Sequence, residues 1–207
     1  MNHSTLSFPD VSHLDPEEAK QQIRPIVRTS RAARSAAKRE ELEDQWIATA
    51  LEFINGAELV AAFVSVNEEP PSHGLIQAIA DSGKRVILPK LGPGLTRAWG
   101  YFRGLDDLEE MAPGRPPEPT GPAFDNDILA DVDALIIPAL AVSHAGARLG
   151  QGGGWYDRAL KLASGRARIG AMIFPEEFVE ADLPQDENDV RIPFVILPDR
   201  VVATELP

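Results

Sequence analysis

Hydrophobic and polar positions change period along the chain, and the changes mark its elements. Asp15 followed by Pro16, Glu17 and Glu18 predicts a helix start: a capping side chain, a proline whose missing N–H does no harm there, and acids against the positive helix end. Lys20, Arg24, Arg28, Arg31, Arg34, Lys38 and Arg39 then recur with no acid among them, largely at the spacings of three and four that share a helical face. Pro25 removes one ladder bond from this helix and predicts a kink or a break. A second helix is expected from Glu40 to about Ile54. Glu58 to Val66 is an almost continuous apolar run, which suits a strand covered on both faces. Ser72 to Asp81, closed by Gly83, reads as a crossover helix and Lys84 to Pro89 as the next strand, which together make one βαβ unit. Residues 92–122 are rich in Gly and Pro around a short strand at Arg97 to Arg103, so they read as a long surface loop, with its proline-rich part unsuited to burial. Buried strands are expected at Asp133 to Pro138 and Ala167 to Phe174, with a helix from Trp155 to about Ser164 between them. Together these predict one α/β domain, a mainly parallel sheet with helices on both faces and a ligand cleft at the carboxyl ends of its strands. Residues 1–14 are expected to be flexible, and the ending Val190 to Pro207 receives no element.

A length of 207 residues fits one domain, and 43% apolar with 25% charged residues is an ordinary globular balance. Twenty Lys and Arg against 32 Asp and Glu give a net charge of −12, which argues against a nucleic-acid partner, because phosphate backbones demand a basic footprint. An anionic substrate therefore needs a local basic patch. The Lys20 to Arg39 stripe is the one candidate, although the ordinary reading of such a run is a solvated helix face. The absence of Cys excludes disulfides, thiolate metal sites and cysteine nucleophiles. Met1 to Pro16 carries no Lys or Arg and no apolar stretch, and the longest apolar run, Ala134 to Val142, contains Pro138. Neither a signal peptide nor a membrane span is expected, and the cytoplasm is the default compartment. His3, His13, His73 and His144 lack ligand spacing, and no serine sits in a G-x-S-x-G elbow.

The sharpest local signal is Arg148-Leu-Gly-Gln-Gly-Gly-Gly-Trp-Tyr-Asp157, between a buried strand and a helix. Glycines let backbone N–H groups close around an anion without Cβ obstruction, so a phosphate-cradling loop is one reading. It is neither a P-loop, since no G-K-[ST] follows, nor a dinucleotide fingerprint, since Trp155 stands near where the third glycine belongs. A flexible, helix-capping loop is the plainer alternative.

Asp133 to Leu160, DALIIPALAVSHAGARLGQGGGWYDRAL, closely resembles the signature of the 5-formyltetrahydrofolate cyclo-ligase family, with Trp155 in place of the first tyrosine of a pair. Lys20-x-x-x-Arg24, Phe63 to Glu69, Val86 to Pro89, Glu118-Pro119 and Pro184-Gln-Asp-Glu-Asn-Asp189 resemble further family segments in the same order, so the likeness spans roughly residues 17–190. The resemblance implies a NagB/RpiA/CoA-transferase-like fold. It also implies an enzyme that uses ATP and Mg2+ to convert 5-formyltetrahydrofolate into 5,10-methenyltetrahydrofolate. By position it implies that ATP meets Lys20, Arg24 and the stretch Arg148, Leu149, Gly150, Gln151, Gly152, Gly153, Gly154, Trp155 and Tyr156. Arg148 and Tyr156 are the expected catalytic residues, Val66, Glu69, Gln151 and Trp155 border the folate, and Asp157 and Asp189 hold magnesium. Arg158 is expected on the outer face of its helix. The expected partners are these small molecules alone, with no nucleic acid or membrane, and a monomer. Two alternatives are a catalytically silent folate- or nucleotide-binding homologue and a sugar-phosphate isomerase or transferase of similar fold.

Overall fold

The computed structural model describes residues 5–92, 96–111 and 115–206. Helix α1 (Pro16–Ala32) starts where its cap predicts, the Asp15 carboxylate accepting the N–H groups of Glu17 and Glu18 at 3.0 Å each. It does not break at Pro25. Ile23 and Val27 on either side are buried, and the Arg24 and Arg28 side chains bond across to the glycine-rich loop, so packing on both flanks outweighs one lost ladder bond. Helix α2 (Ala36–Phe53) starts four residues before the expected Glu40 because Ser35 caps it, its hydroxyl accepting the Lys38 N–H.

Strand β1 (Leu59–Ala61) is shorter than the apolar run that announced it. The chain leaves the sheet at Ala62, and Ser72 holds the departing segment by donating to the Phe63 carbonyl and accepting the Ser65 N–H, each at 2.8 Å. Helix α3 (His73–Asp81), β2 (Arg85–Leu91) and β3 (Arg97–Tyr101) follow. Then come β4 (Leu108–Glu109), β5 (Glu118–Pro119), β6 (Ala134–Pro138), β7 (Ala141–Ser143), β8 (Arg148–Leu149), α4 (Trp155–Leu160), β9 (Arg168–Met172), β10 (Phe178–Val179), β11 (Phe194–Ile196) and β12 (Val201–Ala203).

Seven strands form the main sheet in the order β12-β11-β9-β6-β1-β2-β3. The interior pairs are parallel, whereas β3 and β12 close the two edges antiparallel. The ending after Val190 thus supplies the outer hairpin of the sheet, β11 pairing with β9 and β12 turning back on β11. Strand residues alternate between two cores as the pleat requires. Val60, Val86, Ile136 and Ile196 face α2 and α3, where Trp46, Phe53, Leu75 and Ile79 meet them. Leu59, Ile87, Leu135, Ile137 and Val195 face Ala159 and Leu160 of α4 and Leu129 of the 3-10 segment Asn126–Asp131. Helices therefore cover both faces.

Helix α1 lies instead against a small sheet, β10-β7-β8, with Ile23 and Val27 packed on Leu140, Ala141, Leu149 and Val179. Where it is described, the expected flexible lead is packed here too: Leu6, Phe8 and Val11 join this cluster and the Leu6 N–H donates to the Glu176 carbonyl at 2.8 Å. Residues 1–4 lie outside the described residues, as do 93–95 and 112–114 of the expected long loop. Contrary to the expectation for the proline-rich part, Glu118 and Pro119 are buried, because β5 pairs with β4 and the Glu118 carboxylate accepts the Leu91 N–H at 3.0 Å. No helix among the described residues is long and apolar enough to cross a membrane.

Asp133, at the start of β6, accepts the N–H groups of Leu59 and Glu58 at 2.9 and 2.8 Å, and these bonds hold its carboxyl below its ordinary 3.8. A carboxyl depressed by folding stabilises the protein above its unfolded value and loses that contribution as pH falls through the lower folded value. Asp133→Ala should cost about 1 kcal/mol at neutral pH, from the loss of a charge-assisted cap. Urea melts at pH 7 and pH 3 check this: the gap between variant and wild type should shrink on acidification, and a gap independent of pH contradicts it.

Candidate active site at the carboxyl ends of the strands

Two cavities open where β1, β2 and β6 end, one of about 420 Å³ and one of about 720 Å³. They share Glu69, Pro138, Gln151, Trp155 and Tyr156 as a common wall.

Helix α1 supplies one side of the first cavity through Glu17, Lys20 and Arg24. The basic stripe is therefore not wholly a solvated face: Lys20, Arg24 and Arg31 are buried, whereas Arg28 is exposed. Lys20 donates to Asp186 at 2.9 Å and also to Asp189. Burial pulls its ammonium down, but the hydrogen bonds to Asp189 and Asp186 outweigh this and leave it raised. Arg24 donates to Glu17 at 2.8 Å and to the Gly150 carbonyl at 3.0 Å.

The glycine-rich loop forms the opposite side. Gly152 and Gly154 take φ values of +103° and +56°, which side chains resist, so the sequence bends here as it could with few other residues. Guanidinium groups hold the loop's carbonyl oxygens: Arg24 on Gly150, and Arg97 and Arg158 on Gly153 at 2.8 and 2.9 Å. Among the described residues, none of the backbone N–H groups from Gly150 to Gly154 donates to a protein group, which leaves them available to an anion. Beneath them Arg148, 6% exposed, donates to Asp157 at 2.7 Å, while its Nε has no partner among the described residues. Asp157 also accepts the Val190 N–H at 3.3 Å, which brings the chain beside Asp189 against it.

At the shared wall, burial pushes the Glu69 carboxyl up, opposed by the Val66 N–H at 3.1 Å. Gln151 bridges the wall, donating to Glu69 at 3.4 Å and accepting from Arg28 at 2.8 Å. Burial, reinforced by Glu69, pushes the Tyr156 phenol far above its ordinary value, so it stays protonated. Trp155 lies between Trp99 and Tyr156, each with ring centroids 4.7 Å away. The second cavity has apolar walls that include Phe63, Val64, Val66 and Leu140, and a rim bearing Arg28, Lys90, Arg97 and Arg115.

The expected site residues converge with one exception. Lys20, Arg24, Arg148, Gly150 to Asp157 and Asp189 line the first cavity, and Val66, Glu69, Gln151 and Trp155 the second. Leu149 lines neither; its side chain is buried beneath the loop against α1. Arg158 is exposed on the face of α4 opposite the buried Ala159 and Leu160, as expected, and from that outer face it also borders the first cavity. Sequence reasoning missed Arg158, Lys161, Asp186 and Asn188 in the first cavity and Arg28, Lys90, Arg97, Arg115 and Glu118 in the second. The stripe spacing marks Arg28, and the segment before Asp189 marks Asp186 and Asn188. Lys90 and Arg97 carry no local signal, since a β2–β3 pairing brings them together. No group of three or more His, Cys, Asp or Glu residues among the described residues forms a ready metal site.

A sequence model of the 5-formyltetrahydrofolate cyclo-ligase family matches residues 16–198. The chain belongs to that family. A 5-formyltetrahydrofolate cyclo-ligase of Mycolicibacterium smegmatis is 35% identical over 147 residues, covering 68% of this chain and 74% of its own. That of Escherichia coli K12 is 30% identical over 181 residues, covering 85% and 98%. An NMR structure of Aquifex aeolicus 5,10-methenyltetrahydrofolate synthetase has a TM-score of 0.75 at 24% identity, covering 91% of this chain and 94% of that one. At that identity the likeness speaks for the fold, which agrees with the mainly parallel sheet described above. Membership in this ligase family sets aside the sugar-phosphate isomerase alternative.

Proposed function

We propose that this chain catalyses the ATP- and Mg2+-dependent closure of 5-formyltetrahydrofolate to 5,10-methenyltetrahydrofolate. The observation that carries this reading is the pair of adjoining cavities with one shared wall, since phosphoryl transfer between two large substrates needs two compartments that meet where the reacting atoms meet. ATP occupies the first cavity, its phosphates against the free loop amides, Lys20, Arg24 and Arg148. The folate occupies the second, its rings against Trp155 and the apolar wall, with Val66, Glu69 and Gln151 beside the formyl end. On this reading the protein acts on these small molecules as a monomer in the cytoplasm.

The formyl oxygen attacks the terminal phosphorus and ADP leaves, giving an iminium phosphate. Nitrogen 10 attacks the formyl carbon and loses its proton, and the carbon–oxygen bond breaks to release phosphate. Arg148 balances charge that builds during transfer, and the protonated Tyr156 donates a hydrogen bond at the wall. The acids on the first cavity fit a hard divalent ion, since Asp157 and Asp189 offer carboxylate oxygens beside the space for phosphates. Bound Mg2+ would neutralise phosphate charge there.

Purified protein should produce the methenyl absorbance only with 5-formyltetrahydrofolate, ATP and magnesium together. Turnover without ATP, or nucleotide binding with no product at any enzyme concentration, overturns the reading, and the second result favours a silent binder. Asp157→Asn and Asp189→Asn should each raise the magnesium concentration for half-maximal rate by about tenfold, and the double variant should lose much less than the sum of the two. Additive losses at an unchanged magnesium requirement would make both acids structural.

A further inference from the structure

We propose that Arg158 and Lys161 form a second cationic arm of the nucleotide site that binds the polyphosphate of ATP. The proposal rests on the ligase reading above and adds to it two residues that neither the glycine-rich loop nor the α1 stripe contains.

The argument is one of charge. Five cations line the first cavity: Lys20, Arg24, Arg148, Arg158 and Lys161. Three of them are already neutralised, Lys20 by Asp186 and Asp189, Arg24 by Glu17 and Arg148 by Asp157. Arg158 and Lys161 rest only on neutral oxygens, the Gly153 carbonyl at 2.9 Å and the Asn188 amide oxygen at 3.3 Å. Neither has a carboxylate partner among the described residues.

Position agrees with charge. The two residues are three apart, so they share a helical face, the exposed one opposite the buried Ala159 and Leu160, and both border the first cavity from it. Like charges one turn apart repel. In a chain of net charge −12 the surrounding acids also repel an approaching polyanion. Uncompensated cations at the cavity mouth offset that field and are themselves relieved by a bound polyphosphate. Arg158 also holds the Gly153 carbonyl, so an anion on its guanidinium is coupled to the loop whose amides stand free.

The test uses the intact enzyme and follows methenyl formation. Arg158→Gln/Lys161→Gln should raise the KM for ATP by about tenfold or more, the factor that about 1.4 kcal/mol gives. The KM for 5-formyltetrahydrofolate should stay within about twofold, and the charge-keeping pair Arg158→Lys/Lys161→Arg should restore most of the ATP affinity. Inorganic tripolyphosphate should compete with ATP in the wild type and lose affinity by a similar factor in the double Gln variant. The wild-type KM for ATP should also rise more steeply with salt than that of the variant. Unchanged ATP and tripolyphosphate affinities overturn the proposal. So does a rise confined to the KM for 5-formyltetrahydrofolate, which would assign the charges to the other substrate. If the wild type forms no product, the ligase reading fails by itself. Calorimetric titration of tripolyphosphate into wild type and double variant then decides the arm, equal affinities overturning it.

Discussion

Arg148→Met should lower the rate of methenyltetrahydrofolate formation about a hundredfold at saturating substrates, the loss of about 3 kcal/mol typical for a preorganised charge at developing negative charge. Arg148 is fixed in place before any substrate arrives. Asp157 holds one end of its guanidinium, and the Nε, buried with no partner among the described residues, keeps bonding capacity in reserve. Such an unsatisfied donor is costly in a folded protein and is expected where a ligand completes it. The loop is shaped around it: a Cβ on Gly150 would stand 2.7 Å from Arg148 Nη1, so Gly150→Ala should displace the guanidinium and reproduce part of the loss. Removing Arg148 alone also strands the Asp157 charge. Arg148→Met/Asp157→Asn therefore separates chemistry from folding: melting should recover toward wild type while turnover stays low. Arg191→Met serves as the comparison, because among the described residues this exposed side chain bonds only the Ala145 carbonyl. A turnover within about fivefold of wild type for Arg148→Met would remove the arginine from the phosphate site.

The sequence carried the architecture further than the wiring of the site. Caps and periods located α1, α3 and the sheet's central strands because those signals are local: Asp15 caps its own helix and apolar runs fill a sheet buried on both faces. What it missed depends on long-range partners. Pro25 predicts a break from the chain alone, yet Ile23, Arg24, Val27 and Arg28 hold both flanks to distant residues. Glu118 and Pro119 read as exposed until β2 supplies the Leu91 N–H. The C-terminal hairpin has only three-residue strands, too short for a period to show. For the site, the glycine-rich loop and the α1 cations stood out, whereas nothing local showed that the outer face of α4, with Arg158 and Lys161, borders the first cavity, because a six-residue helix gives its surroundings only through what it packs against.

Glu177→Gln should destabilise the protein by about 3 to 5 kcal/mol, the cost of leaving one charge of a buried pair uncompensated. Glu177 and Arg31 are the most completely buried ion pair described, at 0% and 3% exposure. Arg31 donates through Nε and Nη2 to the two carboxylate oxygens at 2.7 Å each, and Nη2 also reaches the Ala139 carbonyl at 2.6 Å. The carboxylate accepts the Phe174 N–H at 3.0 Å. Burial pushes the Glu177 carboxyl up and the guanidinium opposes it, so the pair survives through geometry rather than solvent. Its place explains why so costly an arrangement persists. Arg31 sits on the helix that carries Lys20, Arg24 and Arg28, and it lines the second cavity, so the pair fixes α1 to the end of β6 and to the turn before β10. At this chain length each kcal/mol moves the midpoint by about 2 to 4 °C, so Tm should fall by about 6 to 20 °C. Arg31→Met should fall comparably. Arg31→Met/Glu177→Leu should regain much of the loss, since no stranded charge remains, yet its KM for both substrates should stay raised because the anchor of α1 is gone. A double variant as unstable as the sum of the singles would show independent roles, and single losses below about 1 kcal/mol would show that the pair contributes no more than a surface salt bridge.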